Sequence, residues 1–213
     1  MKGVPLNEEL YQYILSTFVE EDEILKAVVK QAQEKNFPLI QISPENGKLL
    51  QILIKAVKAK NVLEIGALNG YSAIWMARGL SKSGKLTTLE LEEEHAKAAK
   101  ENFKKAGLNK KIKIIPGNAI DSLKKLKNKK FDFTFIDADK VSYPVYFNLV
   151  IKMMNKGGII AADNTLRNGE IISKTPDEAV LGVRKFNELM ANHPKLISLL
   201  IPISDGLTIG IVI

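Results

Sequence analysis

The chain has 213 residues, 46% of them apolar, and a formal net charge of +7, so it is long enough to bury one full hydrophobic core. It contains no cysteine and two histidines, which excludes disulfides, thiolate metal sites and cysteine nucleophiles and leaves oxygen and imidazole as metal ligands. No stretch is long and apolar enough to span a membrane, and the first residues lack the apolar core of a signal peptide, so we expect a cytoplasmic protein.

Three amphipathic helices are predicted in the N-terminal section, residues 1–58. Apolar residues at helical spacing mark the first around residues 10–19 and the second around residues 24–36. Ser43 and Pro44 begin the third helix, with serine as its N-cap and proline at its first helical position.

Five apolar strands then alternate with helical stretches, and this alternation predicts a parallel sheet covered by helices on both faces. The strands are Val62–Ile65, Leu86–Leu91, Ile112–Ile115, Phe131–Ile136 and Ile159–Ala162.

The C-terminus departs from this alternation. After a helix at Glu178–Asn192, the β-rich runs Leu196–Ile203 and Leu207–Ile213 are joined by Ser204-Asp205-Gly206, which predicts an antiparallel hairpin. The chain shows no repeat, low-complexity linker or second domain. We therefore predict a single α/β domain over residues 1–213, in which residues 61–213 carry a mostly parallel seven-stranded sheet and the candidate site.

The turn after the first strand predicts a nucleoside-bearing ligand. The strand breaks into glycines at Gly66 and Gly70 and then opens a helix, whose free N–H groups attract a negative group. The dinucleotide fingerprint G-x-G-x-x-G is not met, because Leu68 and Tyr71 stand where its second and third glycines belong. This disfavours a nicotinamide-dependent dehydrogenase.

The ends of the second and third strands offer further contacts to such a ligand. Glu90 ends the second strand, where an acidic residue accepts hydrogen bonds from both ribose hydroxyls. The alternative is that Glu90 is an exposed start of the next helix. The backbone N–H of Ala119, after the third strand, could meet the edge of the adenine ring, whereas Gly117 needs no role beyond the turn.

Acidic residues follow the fourth and fifth strands. Because neighbouring strands lie about 4.8 Å apart, Asp137, Asp163 and Asn164 can converge on a single ion. These three hard oxygen ligands suit Mg²⁺ and suit Zn²⁺ poorly. The alternative is that Asp139 and Asp163 only cap the helices that follow.

These motifs resemble those of the cation-dependent O-methyltransferases of the catechol and caffeoyl-coenzyme A type, a class I family that uses S-adenosylmethionine. The resemblance rests on Phe135–Lys140 with Tyr143 and Tyr146, on Asp163–Gly169 and on Ile201–Thr208, and it extends from about Ile42 to Ile209. It implies a Rossmann-like class I methyltransferase fold, in which the last strand inserts beside the fifth.

The resemblance also implies residue roles. Cofactor contacts carry over to Ile42, Glu64, Gly66, Ser72, Glu90, Ala119 and Asp137, metal ligands to Asp137, Asp163 and Asn164, a general base to Lys140, and substrate contacts to Asp139 and Asn168. The implied metal is Mg²⁺, with Mn²⁺ and Ca²⁺ as alternatives.

Three points stay open at this stage. Lys140 has an alternative role, in which it pairs with Asp137 or Asp139 and only shapes the site. Ile42 replaces a threonine of plant members, which matters little if the cofactor contact is through the backbone. Arg167 stands where many members have tryptophan, so the ring or tail of the substrate is undetermined.

The predicted activity is the transfer of a methyl group from S-adenosylmethionine to a small aromatic molecule with vicinal hydroxyls, and relatives of this type suggest a homodimer. Twelve lysines between Lys97 and Lys130 leave a tRNA hydroxyuridine as an alternative substrate, unless they form only a solvated helical face. A cofactor-binding module without catalysis is a further alternative, which the complete set of Asp137, Lys140, Asp163 and Asn164 disfavours.

Overall fold

The computed structural model describes residues 6–213 and follows the predicted order of elements. Three helices come first: α1 (Glu8–Phe18), α2 (Glu23–Glu34) and α3 (Pro44–Ala56). The alternating section consists of β1 (Asn61–Ile65), α4 (Tyr71–Gly79), β2 (Lys85–Glu90), α5 (Glu93–Lys105), β3 (Ile112–Pro116), α6 (Ala119–Lys125), β4 (Phe131–Ile136), α7 (Tyr143–Val150) and β5 (Met154–Ala162). The chain ends with α8 (Glu178–Asn192), β6 (Leu196–Ile201) and β7 (Leu207–Val212), and short 3₁₀ turns lie at Ile151–Met153 and Arg167–Ile172.

The seven strands form one sheet in the order β3-β2-β1-β4-β5-β7-β6. Strands β1 to β5 are parallel, and β7 inserts antiparallel between β5 and β6. The fold predicted from the sequence is thereby confirmed. Because the parallel strands share a direction, the residues that follow β1 to β5 all lie at one edge of the sheet.

Two strand boundaries differ from the predicted ones by more than one residue. β5 begins at Met154 instead of Ile159, and its pairing with β4 is irregular between Phe131 and Phe133. β6 ends at Ile201, before Pro202, which has no N–H to donate to the ladder.

Each face of the sheet buries an apolar core. On one face, Leu50 and Ile54 of α3 pack with Trp75 of α4, and on the other face Phe147 of α7 packs with Phe186 of α8. The helices α3 and α4 approach closely because Gly47 faces Trp75, where a Cβ atom would lie 2.4 Å from the indole ring. This packing brings the first turn of α3 to the edge of the sheet that carries the site.

The N-cap predicted for α3 is confirmed, because Ser43 Oγ accepts a hydrogen bond from the backbone N–H of Asn46. By contrast, α1 buries none of its residues and contacts the body through the Tyr11 hydroxyl, which donates to Glu45 Oε2 at 3.0 Å. No helix among residues 6–213 is long and apolar enough to cross a membrane.

Candidate active site

A cavity of about 500 Å³ opens at the carboxyl ends of the parallel strands. Nine of the residues proposed from the sequence line it: Ile42, Gly66, Ser72, Glu90, Ala119, Asp137, Asp139, Lys140 and Asn164. Glu64 and Asp163 are buried and are not part of the lining, and Asn168 is exposed outside it. The fold therefore brings most of the proposed site to one place.

The turn after β1 requires glycine at Gly66. This residue has a φ of +92°, and a Cβ atom here would lie 1.9 Å from the carbonyl oxygen of Asp137. The backbones that follow β1 and β4 thus touch at this point. Any side chain at Gly66 would push apart the two strand ends that form the floor of the cavity.

Glu90 holds the turn from the neighbouring strand. Its Oε2 accepts hydrogen bonds from the backbone N–H groups of Ala67 at 3.0 Å and Leu68 at 2.7 Å, and its Oε1 accepts one from Glu92. The residue is only 7% exposed and lines the cavity, so it is not an exposed start of the next helix. His95 Nδ1 lies 3.5 Å from Oε1.

Glu64 lies beneath the cavity and is fully buried. Its Oε1 accepts a hydrogen bond of 2.5 Å from the Ser72 hydroxyl, whereas Oε2 has no partner among the described residues. Burial raises the pKa of Glu64 to about 8. In the ligand-free protein the carboxyl group therefore keeps its proton at neutral pH.

Lys140 stands between an acid and a phenol. Its Nζ donates to Asp137 Oδ1 and to the Tyr143 hydroxyl oxygen, both at 2.8 Å. The Tyr143 hydroxyl lies 3.0 Å from the carbonyl oxygen of Asp163, to which it can donate its own proton. Burial, and next the charge of Asp137, raises the pKa of Tyr143 well above the usual range, so this hydroxyl stays protonated.

Asp163 is a buried acid near a second negative charge. It is 4% exposed, and burial together with the negative charge of Asp137 raises its pKa to about 7. Its Oδ1 accepts a hydrogen bond of 3.2 Å from Asn46 Nδ2, in the first turn of α3. The Oδ1 atom of Asn46 is buried and has no partner among the described residues.

The sequence analysis did not identify Asn46 as a site residue. The position follows a helix cap and shows no pattern of its own, and 117 positions separate it from Asp163 in the chain. Only the packing of α3 on α4 brings the two side chains together. No sequence signal marks this contact.

The residues proposed as metal ligands fit a divalent cation. Residues 6–213 contain no group of three or more His, Cys, Asp or Glu side chains arranged for a metal. The proposed ligand set has only two such side chains, Asp137 and Asp163, and its third member is the amide of Asn164. All three supply hard oxygen atoms, as Mg²⁺ prefers. Asp137 and Asp163 directly follow Ile136 and Ala162, which are paired between β4 and β5, so the two acids lie side by side at the edge of the sheet.

Asp139 lines the cavity beside Lys140. Its carboxylate accepts hydrogen bonds from the Tyr146 hydroxyl at 2.5 Å and from the backbone N–H of Ser142 at 3.0 Å. Burial acts to raise the pKa of Asp139, but the hydrogen bonds from Ser142 and Tyr146 outweigh it and hold the pKa below the ordinary value. The group is therefore an anion with both oxygen atoms engaged.

The segment after β5 turns Asn168 away from the cavity and Arg167 into its lining. Asn164, Arg167 and Asn168 all have φ values between 51° and 55°, in the left-handed region. The backbone N–H of Asn168 donates to Asp205 in the hairpin turn. A substrate contact of Asn168 stays a prediction. In the structure, the neighbouring residue Arg167 lines the cavity instead.

The Lys-rich stretch lies at the opposite end of the sheet. A second groove, at the amino ends of β2 and β3, is lined by seven lysines and by no acidic residue: Lys85, Lys100, Lys104, Lys110, Lys111, Lys113 and Lys129. The catalytic candidates follow the carboxyl ends of β4 and β5, at the opposite edge of the sheet. These lysines therefore do not flank the cavity.

Comparison with known proteins agrees with this arrangement. The O-methyltransferase family model matches residues 15–213. A catechol O-methyltransferase of Niastella koreensis is 42% identical over 86% of this chain and 85% of its own length. A caffeoyl-CoA O-methyltransferase of Stellaria longipes is 34% identical over 97% and 91%. The crystal structure of a Bacillus cereus O-methyltransferase in complex with SAH superposes with a TM-score of 0.91 at 38% identity, covering 95% of this chain and 96% of that one.

Proposed function

Because the chain belongs to the O-methyltransferase family, we propose that this S-adenosylmethionine-dependent enzyme methylates one hydroxyl of a small aromatic vicinal diol with the help of a divalent cation. The observation that carries the proposal is the placement of Asp137, Asp163, Asn164 and Lys140 beside the glycine turn. The methyl donor and an oxygen nucleophile would meet at this point.

The cofactor would occupy the side of the cavity formed by β1, β2 and β3. Glu90 would accept hydrogen bonds from the ribose, and the backbone of Ala119, which lines the same cavity, would meet the edge of the adenine ring. The turn at Gly66 and the start of α4 at Ser72 leave room for the methionine part. Ile42 lines the same cavity, and its contact would be through the backbone.

The acceptor would occupy the side formed by β4 and β5. Its attacking oxygen must be deprotonated and aligned with the bond between sulfur and the methyl group. A phenol has a pKa of about 10, so few molecules are ionised at neutral pH. A divalent cation held by Asp137, Asp163 and Asn164 would supply Lewis acidity that lowers this pKa.

Lys140 is the proposed base. Its Nζ lies between Asp137 and Tyr143, and an ammonium group has no lone pair, so it must lose a proton before it can accept one from the acceptor hydroxyl. The Tyr143 hydroxyl holds Nζ in position. Asp139, whose carboxylate is fixed by Tyr146, borders the space where the aromatic ring would lie.

An exposed apolar face supports a homodimer. Ile197 and Leu199 of β6 are each 65% exposed, and Ile211 and Ile213 continue the same row at 38% and 53%. A second copy of the chain would remove this row from water, which is favourable by about 25 cal/mol per Å² of apolar surface. Sedimentation of the wild type against an Ile197→Lys, Leu199→Lys double variant tests this assembly.

The activity test uses protein dialysed against EDTA, S-adenosylmethionine labelled in the methyl group, and either a panel of catechols or unmodified tRNA. We expect transfer to catechols when Mg²⁺ or Mn²⁺ is added and none in chelator. Asp163→Ala should stay inactive with the metal, whereas Asp121→Ala, an exposed acid of α6, should behave as wild type. Full activity in chelator would contradict the metal role, and transfer to tRNA alone would contradict the small acceptor.

A further inference from the structure

Arg167 is a charged residue of the cavity that has no role in the reaction proposed above. Its side chain lines the cavity together with Lys140 and Asn164, and its Nε atom is buried without a hydrogen-bond partner among the described residues. Arg167 also forms none of the ion pairs found within residues 6–213. A partly buried guanidinium group without an ion-pair partner favours an anionic ligand in the cavity that it lines.

The acids near Arg167 are already engaged. Asp137 pairs with Lys140, Asp139 accepts hydrogen bonds from Tyr146 and Ser142, and Asp205 accepts the backbone N–H of Asn168. None of these carboxylates is within ion-pair distance of the guanidinium group. The guanidinium group of Arg167 therefore lies on the acceptor side of the cavity without a direct ion-pair partner among residues 6–213.

The backbone holds Arg167 firmly in this place. The N–H groups of Thr165 and Leu166 donate to the carbonyl oxygens of Gly206 and Asp205 at 3.0 and 2.9 Å, so the segment is docked on the hairpin turn. A Cβ atom at Gly206 would lie 2.6 Å from the Leu166 side chain, which shows how close the contact is. An anchored arginine loses little conformational freedom when it binds a ligand.

From these observations we infer that Arg167 selects the acceptor, and that the natural acceptor is an aromatic vicinal diol carrying a carboxylate on a short arm. This inference rests on the proposed function and names the substrate class of the same site. Arginine suits the role because its guanidinium group can donate two parallel hydrogen bonds to a carboxylate.

Charge and space favour a carboxylate over a phosphate or a long conjugate. A single guanidinium group without an ion-pair partner matches one carboxylate, whereas a phosphate would bring nearly two negative charges towards Asp137 and Asp139. The cavity of about 500 Å³ must hold both the cofactor and the acceptor, although sites for a single small ligand commonly measure about 300–1,000 Å³. A single ring with a short acidic arm fits that space.

The test compares two acceptors that differ only in charge, protocatechuate and its methyl ester, in the complete enzyme with S-adenosylmethionine and Mg²⁺. We expect the wild type to have a KM about 10–100-fold lower for the acid, the range of a charge-assisted hydrogen bond. Arg167→Asn should raise the KM of the acid to that of the ester and leave the ester unchanged. Asparagine tolerates the left-handed backbone at this position, so the variant should fold.

Two further variants separate charge from structure. Arg167→Glu should raise the KM of protocatechuate further and should lower the KM of dopamine, whose amine is positively charged. Lys174→Asn removes one positive charge from an exposed residue outside the cavity lining and should change nothing. The affinity for S-adenosylmethionine, measured by calorimetry, should be the same in all four proteins.

The outcomes distinguish this inference from the proposed function. Equal KM values for acid and ester in the wild type, or an equal rise of both KM values in Arg167→Asn, would overturn the inference and leave the catechol reaction intact. Lost cofactor affinity in Arg167→Asn would assign the guanidinium group to the cofactor instead. No methylation of any catechol would overturn the proposed function, and the inference with it.

Discussion

The two sides of the cavity differ in how complete they are without ligands. On the cofactor side, the Glu90 carboxylate already accepts three backbone hydrogen bonds, and the turn at Gly66 packs against the backbone of Asp137. On the acceptor side, Asp163 carries a raised pKa, and the buried Nε of Arg167 lacks a partner among the described residues.

This difference indicates how each side is used. A preformed turn can bind the same cofactor in every catalytic cycle without rearranging. On the acceptor side, the charges are unbalanced without ligands. The repulsion between Asp137 and Asp163 would be reduced by a bound cation. Arg167 lines the cavity without an ion-pair partner among residues 6–213, and a bound anion would supply one. We therefore expect substitutions on the two sides to have separable effects, except where the sides touch.

The largest effect is expected where they touch, at Gly66. In Gly66→Val the Cβ atom would collide with the carbonyl oxygen of Asp137. This collision would displace both the turn after β1 and the segment after β4 that carries Asp137. We expect cofactor binding, measured by calorimetry, to be lost. Gly107→Ala is the control, because Gly107 also has a positive φ but has no atom near its missing Cβ. Normal cofactor binding by Gly66→Val would contradict the position of the cofactor.

A smaller effect, confined to the acceptor side, is expected from Lys140. Lys140→Ala should lower kcat by about 10²–10⁴-fold, the usual contribution of a positioned general base, while cofactor and metal affinities stay nearly unchanged. Lys140→Met, which keeps the length of the side chain, should be equally slow. Acceptors with more acidic hydroxyls should depend less on Lys140, as pH-rate profiles would show.

The opposite result would give Lys140 the structural role. Because Nζ also neutralises Asp137 and binds the Tyr143 hydroxyl, its removal could disturb the metal site instead of the chemistry. Weakened metal binding, or an equal loss for acidic and weakly acidic phenols, would identify this case.

Glu64 predicts a pH dependence of stability. Burial raises its pKa to about 8 in the folded protein, so the folded state binds a proton more tightly than the unfolded chain does. Its contribution to stability is therefore present below the unfolded pKa of about 4.3 and is lost as pH rises towards 8. A shift of this size corresponds to about 5 kcal/mol. Asp163 shifts in the same direction, with a folded pKa of about 7.

Glu64→Gln isolates this contribution, because glutamine imitates the protonated carboxyl group and does not titrate. Denaturant unfolding of ligand-free, metal-free protein between about pH 5 and pH 9 should show a flatter profile for Glu64→Gln than for wild type. Glu92→Gln, at an exposed position, serves as the control. Identical profiles for wild type and Glu64→Gln would show that the folded protein does not hold the proton on Glu64.

The strand pattern was enough to predict where most of the site lies. Once β1, β2 and β4 are recognised as parallel strands, Gly66, Glu90 and Asp137 must follow them at the same edge, and the structure places them there. Such positions depend on strand direction alone.

Two features could not be predicted because they depend on packing and on loop backbone. The contact between Asn46 and Asp163 joins distant parts of the chain through helix packing. In the segment after β5, Asn164, Arg167 and Asn168 adopt left-handed conformations, and this backbone decides that Arg167 lines the cavity and that Asn168 does not. Neither choice follows from the residue types.

The smallest effect is expected from Glu90, because its removal frees two N–H groups of the turn but leaves Gly66 and the other proposed cofactor contacts in place. Glu90→Ala should weaken S-adenosylmethionine binding by roughly 1.5–3 kcal/mol, or about 10–150-fold, since the ribose would lose a charged acceptor. Metal affinity and the preference for acidic acceptors should not change, because both belong to the acceptor side. Calorimetry with cofactor and with Mg²⁺ in separate titrations measures the two sides independently. Unchanged cofactor affinity would remove Glu90 from the binding site, and an equal loss of metal affinity would show that the two sides are one cooperative unit.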